Sequence, residues 1–389
     1  MELPAIVIVA FNRPKSLTRL LGSIVSAEFI DSNITLIISI DKSNDNSDVL
    51  TIAEDFKWEN GTKKIFYQPE NLGLRKHIIQ CMKYASEYGS MILLEDDLFV
   101  SPNFYNYSQQ ALQFSVKKKY IGGISLYNHQ INVHASQNFH ALDDGYDNYY
   151  FQFASSWGQA WSKNQINNFL AWYKLNPDIT KNENIPLNVR SWSDKSWLKY
   201  HISYLIENNL YFLYPKISLT SNFGDQGTHM KDSHTYYQVP ILNATGKEYN
   251  FSTLEESKSK YDAFFENLLL SNVLSIDKID LTVDLYGYKT SYRTQFLLTS
   301  KILNFKIISS FSKKLKPLDN NIVYSIPGNE IFLYDTSKSK NNKLKKDDFK
   351  NIVYQTKYIS YPNALILFKT LLTNRINNMF KKIFKFFGV

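Results

Sequence analysis

The chain has 389 residues, 44% of them hydrophobic and 21% charged, with a net charge of +8. That length exceeds one ordinary small core, so two domains, or one large domain with an appendage, are expected. No apolar run reaches bilayer-spanning length, and the single cysteine, Cys81, excludes an internal disulfide framework and favours a reducing cytoplasm.

The first hundred residues alternate between buried-strand and helix patterns. The opening "MELPAIVIVAFNRP" has neither a basic leader nor a small-residue cleavage site, so 5–11 is predicted as a first strand. Asn12 is a candidate cap, Pro14 suits a first helical turn, and Leu17, Leu20, Leu21 and Ile24 follow at helical spacing. "ITLIISI" (34–40) is a second strand ending at Asp41, followed by a short helix near 47–56. "KKIFYQ" is a third strand, and "NLGLRKHIIQCMKYASEYG" reads as a loop and a helix closed by Gly89. "SMILL" is a fourth strand, running into Glu95-Asp96-Asp97. Strands alternating with helices imply a parallel sheet with ligand loops at the strand carboxyl ends, so Asp41 and the triplet should face one crevice.

A helix is predicted over 102–119, capped by Ser101, then a strand over 120–127 and a long polar and aromatic loop over 128–150. Helices are expected from Ser162 to about Tyr173 and from "RSWSDKSW" to about Asn209, and "YFLYPKISLTSNFGDQGTH" reads as strand and loop. Beyond about 270 the patterning weakens, and "DTSKSKNNKLKKDD" looks like a solvated linker. The domains expected are a catalytic one over 1–250, an accessory region over 251–340, and a linker with a basic amphipathic tail over 341–389.

Three carboxylates at the end of a buried strand point to a cation. Mg²⁺ or Mn²⁺ takes one or two carboxylates and completes its shell with substrate oxygens, which such a cluster allows. Asp194 lies between Trp192 and Trp197 at a predicted helix start, and Asp225 lies in "SNFGDQGTH". His229 lies in the same Gly-containing loop. His129, His134 and His140 share the long loop; their spacing fits no usual zinc pattern, so acceptor recognition is the better expectation. One or two of Trp157, Trp161, Trp192 and Trp197 are expected on the acceptor side.

"ILLEDDLFVSPNFYNY" resembles the Glu-Asp-Asp motif of metal-dependent N-acetylglucosaminyltransferases of the N-acetylglucosaminyltransferase I type, which have the GT-A fold. "VIVAFNRPKSLTRLL", "IISIDKSND" and "NLGLRKHIIQCMKYA" are similar to the family's donor segments, in the same order. The resemblance implies an α/β GT-A domain with Arg13 near the nucleotide, flanked by Ala10 and Asn12. It implies Asp41 on the uracil or ribose, Arg75 and His77 toward the base and phosphates, Glu95 and Asp96 on the sugar and ribose, and Asp97 as the metal ligand. "SSWGQAWSKNQINNF", "RSWSDKSWLKY" and "SNFGDQGTH" are similar to its later motifs, so the likeness covers about 4–232. The later motifs imply Asp194 as the general base, with Asp225 as backup, and His229 in a loop near the diphosphate; the family has paired acids beside its Trp, whereas Asp194 is followed by Lys195.

The expected function is inverting, Mn²⁺- or Mg²⁺-dependent transfer from a nucleotide diphosphate sugar, UDP-linked and with N-acetylglucosamine as the candidate sugar. The acceptor would be a glycan or lipid-linked glycan in bacterial surface polysaccharide synthesis. The alternatives are a sugar-phosphate nucleotidyltransferase, disfavoured because "AFNRPKSL" has no glycine, and an inactive glycan-binding relative. Nucleic acid is not an expected partner. After Asp348 there is no acid, while Lys350, Lys357, Lys369, Arg375, Lys381, Lys382 and Lys385 follow. Leu365, Phe368, Leu371, Leu372, Ile376, Met379, Phe380, Ile383 and Phe387 form one apolar helical stripe, predicting a cytoplasmic enzyme held peripherally at the inner face of the membrane.

Overall fold

A computed structural model describes residues 3–179, 182–225, 236–345, 347–356 and 359–386. The apolar run Ala5–Ala10 forms β1, buried along its whole length between β2 (Leu36–Ile40) and β4 (Ser90–Glu95). Both pairings are parallel, with Val9 opposite Glu95 and Ala10 opposite Ile40. Ile6, Ile8 and Ala10 pack into one core layer and Val7 and Val9 into the other, which is why the run shows no polar alternation.

α1 (Pro14–Val25) follows β1 and buries Leu17, Leu20, Leu21 and Ile24, as its spacing predicts. Arg13, not Asn12, stands at its N-cap position, without a side-chain cap; Asn12 is one residue too early and exposed. α2 (Ser47–Asp55) and β3 (Lys63–Tyr67) continue the alternation. The helix expected next is two, α3 (Leu74–Met82) and α4 (Tyr84–Tyr88), with Gly89 ending the second. Cys81 is buried within α3, where burial pushes its thiol up to about 12.

Beyond the acidic turn, the chain forms a short strand β5 (Leu98–Val100) before α5 (Phe104–Ser115). Ser101 therefore does not cap α5; Asn103 holds that position, and the Ser101 hydroxyl accepts the Asn103 N–H and donates to the Leu242 carbonyl. β6 (Ile121–Ser125) leads into the long loop, which contains a small hairpin, β7 (Ile131–Asn132) and β8 (Gln137–Asn138), and ends in β9 (Asn148–Phe151). β10 (Gln159–Ser162) passes into α6 (Lys163–Leu175) through a reciprocal Ser162–Gln165 capping box. α7 (Leu187–Arg190), α8 (Leu198–Glu207), β11 (Tyr211–Pro215) and β12 (Thr220–Asn222) follow, then β13 (Lys260–Tyr261).

The main sheet has the order β13-β9-β11-β6-β10-β4-β1-β2-β3, and β5 pairs antiparallel with β12 beside it. It is mostly parallel; β10 runs antiparallel between β4 and β6, and β9 is antiparallel to β11. Its last strand comes from beyond residue 250.

After α9 (Leu270–Val273), a second sheet forms from β14 (Leu281–Asp284), β15 (Phe296–Thr299), β16 (Phe305–Phe311) and, beyond α10 (Asn320–Val323), β17 (Ile331–Ser339), in the order β14-β15-β17-β16. Leu285, Tyr286, Leu298 and Leu333 share a continuous hydrophobic cluster with Trp161 and Phe212 of the main layer. α11 (Asp348–Gln355) and α12 (Tyr361–Phe386) complete the chain. Along α12, Phe368 is 62% exposed and Leu371 58% exposed, so this stretch is not covered by the catalytic layers. The side chains of Phe380, Ile383 and Phe387 lie outside the described residues. Among the described residues no helix is long and apolar enough to cross a membrane.

Glu266, which lies between β13 and β14 along the chain, is buried. One carboxyl oxygen accepts the Tyr286 N–H at 3.3 Å, and the other has no hydrogen-bond partner. Burial pushes its pKa well above the ordinary carboxylate value, with Lys289 opposing. Below the ordinary range both folded and unfolded chains carry this proton. Above it only the unfolded chain releases the proton, so the residue's contribution to stability is lost as pH rises through the folded-state value. Above about pH 5 this residue is expected to lower stability by up to about 1.4 kcal/mol per pH unit, and Glu266→Gln to remove that slope. Thermal denaturation of both proteins across about pH 5 to 8 measures it; an unchanged slope in the variant contradicts this account.

Candidate active site

A cavity of about 530 Å³ opens where β1, β2 and β4 end. Ala10, Asn12, Arg13, Asp41, Arg75, His77, Glu95, Asp96, Asp97, Asp194 and Asp225 all line it. The parallel register brings the first of these together. Asp41 N–H donates to the Ala10 carbonyl at 3.0 Å and Asp96 N–H to the Val9 carbonyl at 3.2 Å, so both strand ends open at the same level. β12 returns alongside β5, and Phe223 N–H donates to the Asp97 carbonyl at 3.1 Å, carrying Asp225 back to the acidic turn. Gly224 has φ +62°, a left-handed conformation that lets the chain turn there.

Asp96 and Asp97 are 3% and 7% exposed. Arg13 donates one Nη to Asp96 and the other to Asp97, the latter at 3.0 Å. Asp96 Oδ2 and Asp97 Oδ1 are buried without a hydrogen-bond partner. Burial pushes Asp96 up to about 6 against the pull of Arg13, and burial followed by the Asp97 charge pushes Glu95 up to about 8. Burial disfavours the Arg13 guanidinium, but Asp96 and Asp97 outweigh that and keep it ionised. The two unpartnered oxygens suit a hard divalent cation that completes its shell with ligand oxygens. No group of three His, Cys, Asp or Glu side chains forms a complete cage among the described residues.

Asp41 accepts N–H bonds from Lys42 (3.0 Å), Leu72 (2.8 Å) and Gly73 (2.9 Å). Gly73 supplies its N–H from a left-handed backbone, φ +73°, at the start of α3. The carboxylate thus fixes the 71–73 turn on the cavity wall. Arg75 stacks on Tyr200 and donates to its hydroxyl at 3.1 Å. His77 contributes a neutral ring and not the expected cation: Nε2 lies 2.7 Å from Ser39 Oγ, and burial lowers its pKa.

Asp194 does not begin a helix. It sits in a turn four residues before α8, its side chain 92% exposed, with one oxygen 3.0 Å from Lys199 Nζ. Lys199 is itself buried and also donates to the Trp192 carbonyl at 3.1 Å. Asp225 accepts from Ser16 Oγ at 2.7 Å and from Arg19. Burial would raise its pKa, but those bonds outweigh it and hold the carboxyl below its usual value, making it the poorer proton acceptor. The sequence reading missed Arg19 and Lys199. Ser16 and Arg19 at i and i+3 on α1 are the signal for the first; a lysine five residues after Asp194 is a weak one for the second.

His129 is buried among Tyr127, Phe151, Phe153 and Phe265, and burial lowers its pKa to about 3, so it is a core residue and not an acceptor contact. His134 lies 2.8 Å from the Ala263 carbonyl and packs on Tyr288, while His140 is exposed. Trp161 and Trp197 are core fillers; Trp157 and Trp192 remain partly exposed. His229 lies outside the described residues.

A mostly parallel α/β sheet with an acidic turn at the end of its fourth strand is the arrangement that the sequence resemblance implies for a GT-A domain. Residues 5–154 match the family model described as glycosyl transferase family 2. No curated protein matches the sequence. Among solved structures, TarS 1–349 of S. aureus in complex with UDP-GlcNAc is 15% identical, covering 59% of this chain and 61% of that one, with a TM-score of 0.37. The mannosyltransferase PcManGT from Pyrobaculum calidifontis, in complex with GDP-Man and Mn²⁺, is 10% identical over 55% of this chain and 57% of that one, with a TM-score of 0.34. The chain thus spans about three fifths of the length of these proteins.

Proposed function

We propose that this chain is an inverting, metal-dependent glycosyltransferase. It moves a sugar from a UDP-linked donor, UDP-N-acetylglucosamine by the resemblance of its motifs, to a glycan or lipid-linked acceptor in surface polysaccharide synthesis. The observation that carries this reading is one cavity holding Asp96 and Asp97 with unpartnered oxygens, the Asp41-braced turn, Arg13, and Asp194 at its exposed side.

In this reading the uridine lies against the turn that Asp41 braces, with Arg75 beside it and Ala10 and Asn12 at the edge. Glu95 and Asp96 meet the sugar and ribose. Asp97 would hold Mn²⁺ or Mg²⁺, which when bound supplies positive charge for the leaving diphosphate. Asp194 accepts the proton of the acceptor hydroxyl as that oxygen bonds to the anomeric carbon, and the bond to the diphosphate breaks with its electron pair leaving on UDP. Lys199 holds the Asp194 carboxylate in place, and Asp225 is the alternative base. Asp97→Ala is expected to abolish Mn²⁺-dependent binding of UDP-N-acetylglucosamine while leaving the thermal transition nearly unchanged; near-normal Mn²⁺-dependent binding or turnover overturns the metal-site assignment. Asp194→Asn should bind donor normally and lose about 10²-fold or more in turnover. Unchanged turnover at saturating acceptor moves the base to Asp225.

The tail supports a place for the reaction. α12 presents Leu365, Phe368, Leu371, Leu372, Ile376 and Met379 exposed, and the sequence after Asp348 carries only basic charge. An exposed apolar face beside cationic residues suits the interface of an anionic membrane, with each Lys or Arg near the surface contributing about 1 kcal/mol. The enzyme would then sit peripherally on the cytoplasmic face of the cell membrane, within reach of a lipid-linked acceptor. A chain ending at Asn363 is expected to lose flotation with anionic liposomes; flotation equal to that of the full chain rejects the membrane contact.

A further inference from the structure

Arg13 is the one cation hydrogen-bonded to the buried carboxylates Asp96 and Asp97 among the described residues; Arg19 is engaged by Asp225 and Arg75 by Tyr200. Its guanidinium bridges the two acids, using one oxygen of each and leaving the other two buried and unpartnered. Two carboxylates this deeply buried need a compensating charge. Among the described residues those two acids are the only hydrogen-bond partners of the Arg13 side chain. Arg13 precedes α1 with a non-helical backbone, caps nothing, and keeps its side chain 23% exposed at the cavity. A long side chain in that position can turn outward without disturbing either strand end.

Resting on the nucleotide-sugar reading above, we infer that Arg13 is an exchangeable counter-cation: it occupies the acidic turn when no metal is bound, and yields that place to the metal as it turns to the donor diphosphate. The chemistry favours the exchange in both directions. A divalent cation competes for the same carboxylate oxygens with twice the charge. The displaced guanidinium, with five N–H donors in a planar fork, is suited to phosphate oxygens. Metal binding thereby frees a phosphate ligand, and diphosphate binding removes a competitor of the metal. The two affinities are coupled through one side chain, and the coupling is reciprocal. The metal-free pocket keeps its carboxylates compensated, so neither empty-site charge repulsion nor premature metal capture is built into the fold.

The test is calorimetric titration of Mn²⁺ into the full chain, alone and saturated with UDP, for the wild type, Arg13→Gln and Arg13→Lys. Arg13→Gln is expected to bind Mn²⁺ alone about tenfold more tightly than wild type, to bind UDP with Mn²⁺ about tenfold more weakly, and to show a smaller strengthening of Mn²⁺ by UDP. Mn²⁺ alone should also raise its melting temperature more than that of wild type. Arg13→Lys keeps the charge but not the two-acid bridge, so its Mn²⁺ affinity should fall between the two; it carries the test if the glutamine variant does not fold. Mn²⁺ affinity in the substituted protein equal to or weaker than wild type overturns the exchange. If the wild type itself binds no UDP, with or without Mn²⁺, the nucleotide-sugar reading fails and the exchange with it; UDP binding with unchanged Mn²⁺ affinity in the variants sinks the exchange alone.

Discussion

Burying an ion typically costs several kcal/mol unless a partner and hydrogen bonds compensate it. At the end of β4 the chain buries Asp96 and Asp97 side by side, and Arg13, in the short link from β1 to α1, supplies the compensation. The arrangement requires β1 and β4 to be parallel neighbours in their observed register, because only then does the segment after β1 stand over the turn after β4. It also requires α1 to start at Pro14, so that Arg13 stands directly before the helix. Much of the cavity follows from that pairing: β2 sets Asp41 at the same level, and β12, laid along β5, brings back Asp225.

The legible part of the sequence was the part in which local chemistry and position coincide. Ala5–Ala10 and Leu36–Ile40 are apolar runs too short for helices, and each ends at a cavity residue. Glu95-Asp96-Asp97 stood out because a buried strand rarely ends on three acids. Asn12 and Ser101 failed as caps for a local reason. Each has a capping side chain in a plausible place, but tertiary contacts move the helix start by one or two residues, and Ser101 is drawn to Leu242, far along the chain.

Roles set by long-range burial were not legible. His129 looks like a loop histidine until Tyr127, Phe151, Phe153, Trp157, Tyr214 and Phe265 close around it; nothing in "NHQINVH" encodes that enclosure. Asp194 reads as a helix-start acid, but α8 begins later and a buried lysine from its first turn reaches back to hold the carboxylate. The second sheet was unreadable for another reason. β16, "FKIISSF", is mostly half-exposed and gains its order from β17 and the shared core, so its own sequence carries little pattern.

The solitary cysteine has a practical meaning that its burial decides. Thiol-directed reagents act on accessible thiolates, and Cys81 offers neither access nor a readily formed thiolate, being enclosed within α3 with its ionisation pushed to about 12. The native chain is therefore close to inert toward maleimide dyes and spin labels without any residue having to be removed. A cysteine placed at a chosen surface position would be the one labelled, which opens distance measurements between the acidic turn, the second sheet and the terminal helix in the otherwise unaltered protein.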